Sequence, residues 1–424
     1  MPNINSDTLF YQAATLLTDV VQQATGRQVM KPTNVGEFVS VATTALRGGY
    51  DPIMRSLTQM WGRTIFAVRP YTAKLRGLEM TMDRWANVTR KISYADTPIQ
   101  PDKRFIWPAA YDASHDSNPL GNGESVDMWT IQKDDILQTQ FYGQSVYQDK
   151  RTEFVNQLEC AFRGPEELMQ FNAGAVRNRM NKLEQYRENV GRAVLLNLMG
   201  SLYYIANALA PLGDQQRVVH LVTEYNAYTG LTGTDAALTP QTAMQPNNYP
   251  GFMRWVYAKL ATIVDLFGSR SELYQTMING KVINRHTDAD RIKVYIHSQY
   301  LHEMDTMARS VTFHEDLLKL ADVEGVPYWQ SIKAPTSIDL ANEISLTNVD
   351  GSVITSALAA GSTALPNVFG VMFDEDSAGY SFINRLDWMT PGINADGGYF
   401  NTVHHANVRT VQDTTEKSVL LLLD

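Results

Sequence analysis

The sequence predicts an α+β fold, and three observations lead to this prediction. A helical pattern of apolar residues runs from Pro165 to Pro211. An alternating, β-type pattern surrounds a turn-rich centre between residues 90 and 150. From Gly251 onward, helical and strand-like patterns follow one another. At roughly 100 to 200 residues per domain, the 424 residues suffice for several structural units.

The N-terminal stretch, residues 1–89, has a mostly helical pattern. A first helix carries small and apolar residues on one face, namely Phe10, Ala13, Ala14, Leu17, Val20 and Val21. A second helix is predicted over residues 35–46 and a third over residues 53–61. The segment 48–52 contains two glycines and a proline, and it separates these two helices.

Residues 90–150 are predicted to form one long β-hairpin. One arm covers residues 91–94, and the other runs from 126–131 through 138–141 to 146–147. A two-stranded hairpin is marginally stable alone in water, so we expect it to lie on a support such as a neighbouring subunit. Trp107, near the tip, either contacts that neighbour or packs back onto its own subunit.

The clearest single element is a long helix within residues 151–212. Pro165 suits the first turn of a helix, and the acids at Glu166 and Glu167 face the positive end of its dipole. At 1.5 Å per residue, about 45 residues extend roughly 65 Å. A globule of this chain length would be roughly 55–60 Å across. The helix therefore favours a plate-like subunit.

The remaining residues are predicted to form an exposed loop, an α/β segment and closing strands. The loop covers residues 213–250, which are rich in Thr, Asn and Pro. The predicted elements that follow are helices at 251–267 and 299–308 and strands at 292–296, 367–373, 399–405, 408–411 and 418–423.

Composition excludes several classes of protein. The single cysteine, Cys160, allows neither an intramolecular disulfide nor a thiolate-rich metal site. Apolar runs are too short for a membrane span, and residues 1–7 lack a secretory pattern, so we expect folding in a cytoplasm. The net charge of −9 argues against a protein that grips nucleic acid by neutralising phosphates. A chain that only encloses nucleic acid remains compatible with this charge.

Catalytic and metal-binding patterns are absent from the sequence. No phosphate-binding glycine loop, nucleophile elbow or zinc-binding helix motif occurs. His297 and His302 would lie on different faces of a helix, and His404 and His405 on opposite faces of a strand, so neither pair converges on a metal. The acidic run 374–376 could bind a hard cation, but it follows a buried strand and favours a solvated turn.

The order of these elements, together with the sequences of three segments, 367–376, 394–401 and 407–413, resembles a known protein family. The sequence is similar to the major capsid proteins of tailed double-stranded DNA bacteriophages, which have the Hong Kong 97-like fold. The resemblance covers most of the chain from about Arg90 onward. The implied organisation is an N-terminal helical arm (1–89), an extended β-hairpin loop (90–150), a peripheral domain with the long spine helix (151–212), an insertion loop (213–250), an axial α/β domain (251–390) and C-terminal strands returning to the peripheral domain (391–424).

The resemblance also implies a function. The chain would self-assemble into the pentamers and hexamers of an icosahedral virion shell, built in the host cytoplasm and enclosing double-stranded DNA without sequence-specific binding. Scaffolding, portal and decoration proteins are the further partners implied. No catalytic residue, cofactor, metal or membrane contact is expected. We expect contacts between subunits at Arg104, Trp107 and Trp129.

Two other functions remain open at this point. A cellular nanocompartment shell would keep the fold and enclose cargo protein instead of DNA. An α/β enzyme would need residues 295–302 and 374–376 to converge in a pocket, although no nucleophile stands at a recognisable spacing from a base.

Overall fold

The structure, a computed structural model of the chain, falls into two units. The first contains Met1–Asn87, Gly143–Leu195 and Gly379–Val411, and the second contains Val88–Tyr142, Leu196–Ala378 and Gln412–Asp424. The structure describes residues 6–64, 73–80, 88–95, 125, 129, 131, 135–142, 145–208, 216–231, 233, 237–276, 283–311, 322–340, 343–347, 353–357, 364–389 and 392–424.

Three helices open the first unit: α1 (Ser6–Thr25), α2 (Val35–Arg47) and α3 (Tyr50–Thr64). The predicted apolar face of the first helix is confirmed, because its residues from Ala13 to Val21 are buried. Asn34 caps α2 by accepting a hydrogen bond from the backbone N–H of Glu37. The three helices share one apolar core with α4 (Val155–Ala161), the start of the long helix and Phe400.

A sheet and the long helix α5 (Pro165–Ala208) complete the first unit. The long helix predicted between Pro165 and Pro211 is therefore confirmed. Residues 165–195 of α5 belong to the first unit and residues 196–208 to the second. The sheet contains β3 (Ser145–Phe154), β12 (Ala378–Met389), β13 (Ile393–Asn394) and β14 (Tyr399–Gln412).

The helix α5 covers one face of this sheet. Arg179 of α5 donates to the hydroxyl of Thr402 on β14 over 2.5 Å. The rings of Tyr186 and Tyr147 lie 4.7 Å apart, which joins α5 to β3. Because side chains alternate along a strand, buried and half-buried residues alternate over the first part of β14, residues 399–406.

A five-stranded sheet forms the centre of the second unit. Its order is β4–β15–β11–β5–β6, with antiparallel pairing of β11 to β15 and β5 and parallel pairing at both outer positions. β11 is buried along its whole length, as expected for a strand covered on both faces. The strands are β4 (Val218–His220), β5 (Ile292–His297), β6 (Asp322–Val326), β11 (Val368–Asp374) and β15 (Ser418–Leu422).

Gly370 permits the close pairing of β11 and β5. The register of β11 against β15 shifts between Val368 and Gly370. A Cβ atom at Gly370 would lie 2.5 Å from the carbonyl oxygen of Tyr295 and 3.2 Å from the Cα of Ile296. Since neither backbone atom can move away without breaking the strand pairing, only glycine fits this position.

Helices pack against this sheet and bury an extensive apolar core. Phe252, Val256, Leu260 and Ile263 on α8 are fully buried in it, as is Leu421 of β15. The helices of this unit are α6 (Leu221–Thr229), α7 (Pro240–Ala243), α8 (Tyr249–Gly268) and α9 (Ser298–Val311). None of the described helices is long and apolar enough to cross a bilayer.

Six further strands complete the described part of the second unit. They form three antiparallel two-stranded pairs. The first pair is β1 (Val88–Ala95) with β2 (Asp135–Tyr142), the second is β7 (Ile338–Asp339) with β10 (Ala364–Leu365), and the third is β8 (Glu343–Thr347) with β9 (Val353–Ala357).

Three predictions from the sequence differ in part from the structure. The passage 213–250 was predicted to be an exposed loop, but it contributes β4 to the sheet and α6 to the core, with Val219, Leu221 and Val222 buried. Residues 146–147 were assigned to the hairpin, but they lie in β3, which pairs with β14 over ten residues. The predicted final segment, 391–424, is divided between the two units.

Candidate intersubunit surface

The paired strands β1 and β2, called the ribbon below, carry the candidate surface. They run antiparallel from Val88 opposite Tyr142 to Ala95 opposite Asp135. Tyr94 lies opposite Ile136, and Ile92 lies opposite Gln138. Because side chains alternate between the faces of a strand, these four residues share one face of the ribbon, and Lys91 and Ser93 lie on the other.

The face with Tyr94 is apolar and exposed. Ile92 is 56% exposed, Tyr94 is 60% exposed and Ile136 is 58% exposed. A contiguous patch of exposed apolar side chains on a protein surface often marks an interaction site. This face of the ribbon, defined by Ile92, Tyr94 and Ile136, is therefore the candidate intersubunit surface and is called the outer face.

One of the three residues expected to contact a neighbour is described. Trp129 is 85% exposed, and nearby Ile131 is also exposed. Arg104 and Trp107 lie outside the described residues. The outer-face residues were not singled out from the sequence, because the alternation in 91–94 and 138–141 indicates two strands but does not give their register.

The opposite face of the ribbon is held by charges of the second unit. Lys91 Nζ lies 2.5 Å from Asp413 Oδ2 and also pairs with Glu416. Arg285 pairs with the same Glu416 and donates to the hydroxyl of Ser93 over 3.0 Å. We call Lys91, Arg285, Asp413 and Glu416 the anchor cluster. Its two cations and two anions balance, and all four side chains are mostly buried.

Burial and pairing act in opposite directions on the ionisation of this cluster. Burial lowers the pKa of Lys91, and the pairing with Asp413 offsets only part of this effect. Burial also disfavours the ionised carboxylate of Asp413. The charge of Lys91 and hydrogen bonds from Lys91 and Thr415 outweigh burial there, so the pKa of Asp413 lies below its ordinary value.

Two fully buried cations support the segment that carries Asp413 and Glu416. Arg217 donates to the hydroxyl of Ser418 over 2.7 Å and to that of Thr276 over 2.5 Å. Its remaining acceptors are the main-chain carbonyls of residues 414, 416 and 418. Lys417 donates to the carbonyl oxygens of Leu266 and Ser269, near the end of α8, over 3.1 and 2.6 Å. These bonds fix the backbone between β14 and β15.

Replacing Lys417 with methionine is expected to remove a pH-dependent part of the stability. Burial lowers the pKa of Lys417 from 10.5 to about 8. The folded chain thus loses this proton at a lower pH than the unfolded chain does. The free energy of unfolding therefore rises with pH between about 8 and 10.5, by an amount on the order of 1–3 kcal/mol.

Denaturant titrations at several pH values across that window measure the difference between wild type and Lys417→Met. The gap between the two curves should change steadily with pH. Lys333→Met, a change at an exposed lysine of the same unit, should run parallel to wild type. Parallel curves for Lys417→Met would show that its ammonium is solvated in the fold.

The other residues considered for chemistry are held in structural roles. Asp374 is buried at the end of β11 and accepts from the hydroxyl of Thr287 over 2.7 Å, so a fully solvated turn was the wrong expectation. Arg291 lies 3.7, 2.9 and 2.5 Å from the carboxylates of Asp374, Glu375 and Asp376. This guanidinium occupies the position that a cation would take. No metal-type cluster of three or more ligands occurs in the described part of the chain.

His404 and His405 are placed as their spacing predicted, but His297 and His302 do not share a helix. His404 is buried and His405 is half-buried, on opposite faces of β14. His297 is the buried last residue of β5, where burial lowers its pKa, and His302 follows on α9.

Comparison with solved structures identifies the fold. A chain in the structure of the head fiber and inner core protein gp22 of native bacteriophage P68 matches with a TM-score of 0.50 and 10% identity, covering 84% of this chain and 86% of that one. This chain has the fold of that phage head structure. The α+β capsid fold predicted from the sequence is thereby confirmed.

Two further similar structures are also from phages. The capsid structure of Staphylococcus phage Andhra matches with a TM-score of 0.48 and 10% identity, over 84% of this chain and 85% of that one. The capsid structure of the cyanophage P-SCSP1u matches with a TM-score of 0.37 and 10% identity, over 84% and 89% of the two chains. No protein-family model and no curated protein matches the sequence.

Proposed function

We propose that this chain is the major capsid protein of a tailed double-stranded DNA bacteriophage. In this proposal it self-assembles into pentamers and hexamers of an icosahedral shell. The observation that supports the proposal is the combination of a phage-head fold with the exposed apolar outer face, Ile92, Tyr94 and Ile136. The ribbon that carries this face is attached to its unit by the anchor cluster. Its role is structural and not catalytic.

The ribbon would be the base of an extended loop, residues 90–142, that overlaps a neighbouring subunit. Arg104, Trp107 and Trp129 would contact that neighbour together with the outer face. Residues 151–212 would belong to the peripheral domain and residues 251–390 to the axial domain, with the N-terminal helices of 1–89 beside the former. An extended element that overlaps its neighbour suits a shell, since each copy both gives and receives the same contact.

The net charge of −9 supports an enclosing role. A shell wall that carries negative charge repels DNA phosphates, so packaged DNA can move against it without sequence-specific binding. Scaffolding, portal and decoration proteins would be further partners, and the shell would form in the host cytoplasm and remain in the virion.

The proposal is tested by the assembly state of the purified full-length chain. Sedimentation velocity across a concentration series, followed by negative-stain electron microscopy, separates monomers from rings and shells. Five- or six-membered rings, or closed shells, are the expected products. A chain that stays monomeric at every concentration, also with a crowding agent, would overturn the proposed function.

A further inference from the structure

The ribbon reverses the usual arrangement of a surface hairpin. Its apolar residues Ile92, Tyr94 and Ile136 face outward, and its charged residue Lys91 faces the body of the second unit. When apolar contacts attach a hairpin to its unit, the attachment is equally stable at every pH and becomes more stable at high salt concentration. A hairpin held by ion pairs depends on the protonation of its partners.

We propose that the anchor cluster is an ionic latch that holds the ribbon in one orientation and releases it when its carboxylates are protonated. Lys91 is the member of the latch on the ribbon, and Asp413 and Glu416 are its partners on the segment before β15. Arg285 joins the same Glu416 to the hydroxyl of Ser93, so the latch grips two residues of β1.

Protonation would convert this cluster from balanced to repulsive. With both carboxylates ionised, two cations face two anions. With both neutralised, Lys91 and Arg285 remain as two like charges side by side, and each disfavours the other. The released ribbon would then keep the pairing of β1 with β2 but lose its fixed attachment to the unit.

Other charges surround the latch and set its pH range. Asp413 also attracts Arg217, and Asp376 attracts both Lys91 and Arg285. Asp374 attracts Arg285 as well, and both aspartates pair with Arg291. These neighbours do not replace the missing partner of Lys91, because Arg291 already lies against both aspartates.

The direction of the pH effect follows from the depressed pKa of Asp413. The stabilising pair is fully present above the ordinary carboxyl pKa of 3.8 and is lost as pH falls through the lower value in the folded chain. The latch is therefore closed at neutral pH and opens in acid.

The consequence for assembly rests on the proposed function. A free ribbon presents its outer face in many orientations, so it loses the fixed geometry that a neighbouring subunit needs. The latch itself does not depend on assembly and can be measured on unassembled chain.

Hydrogen exchange followed by mass spectrometry tests the latch in full-length protein carrying Lys91→Met. At neutral pH, we expect amides of residues 88–95 and 135–142 to exchange about tenfold faster than in wild type, while those of β5 and β11 are unchanged. Lys182→Met is the matched control, since this exposed lysine lies 4.0 Å from Asp149 in the first unit. It should leave ribbon exchange as in wild type.

Unchanged ribbon exchange in Lys91→Met would overturn the latch, and so would an equal increase throughout the second unit. If Lys91→Met does not fold, wild type measured in steps from neutral pH down to pH 2 tests the latch in its place, after correction for intrinsic exchange rates. The latch requires that ribbon amides gain more than those of β5 and β11. Normal latch behaviour in a chain that never assembles would refute the shell function and leave the latch standing.

Discussion

A chain carrying Tyr94→Lys and Ile136→Glu is expected to fold but not to assemble. The two positions face each other across the ribbon, so the introduced charges are opposite in sign and compatible with strand pairing. The outer face nevertheless becomes polar. Each apolar side chain of this size contributes roughly 1.5–3 kcal/mol when it is buried in an interface.

The loss per subunit contact would be about 3–6 kcal/mol, which corresponds to a factor of roughly 10² to 10⁴ in the association constant. A closed shell repeats this contact many times, so the assembled fraction should fall below detection. Sedimentation velocity measures that fraction, and thermal unfolding verifies that the subunit remains folded.

Tyr228→Lys is the control for the outer-face variant. Tyr228 is another exposed tyrosine of the second unit, and replacing it introduces the same charge away from the ribbon. It should assemble as wild type does. If the double variant assembles normally, the outer face does not contribute to contacts between copies.

The second large effect is expected for Arg217→Met. Methionine keeps most of the volume but donates no hydrogen bond. The hydroxyls of Thr276 and Ser418 and the carbonyls of residues 414, 416 and 418 would lose their donor in a site from which water is excluded. We expect the free energy of unfolding of the second unit to fall by roughly 2–4 kcal/mol.

For a unit of this size, such a loss lowers the melting temperature by about 5–15 °C. Differential scanning calorimetry measures the shift. Arg254→Met, at an exposed position of α8, should change it by no more than a degree or two. A small shift in Arg217→Met would mean that the stranded acceptors find other donors, and that the buried guanidinium contributes little to the fold.

The elements predicted most accurately were those with long, regular patterns. The helix starting at Pro165 combines a start signal with apolar residues at three- to four-residue spacing over 44 residues, so its course is determined locally. β11 was predicted within one residue, because a run of apolar residues between turn signals has few other interpretations.

The errors arose where distant residues decide the structure. Nothing local indicates that Val218–His220 is a strand, since its stability comes from pairing with β15, about 200 residues later. The two strands of the ribbon were predicted but their pairing register was not. The outer face and the role of Lys91 could therefore not be predicted from the sequence. Arg217 and Lys417 illustrate the same limit, because a charged residue in a sequence is assumed to be solvated until its partners are known.

The position of β15 has a consequence for the order in which the protein is made. Among the described strands of its sheet, β15 is the last to leave the ribosome, yet it lies between β4 and β11. Asp413 and Glu416, which anchor the ribbon, are synthesised just before it. During translation the ribbon would therefore lack this attachment. Under the proposed function, association between copies would wait until residues 413–422 have emerged and the sheet has closed.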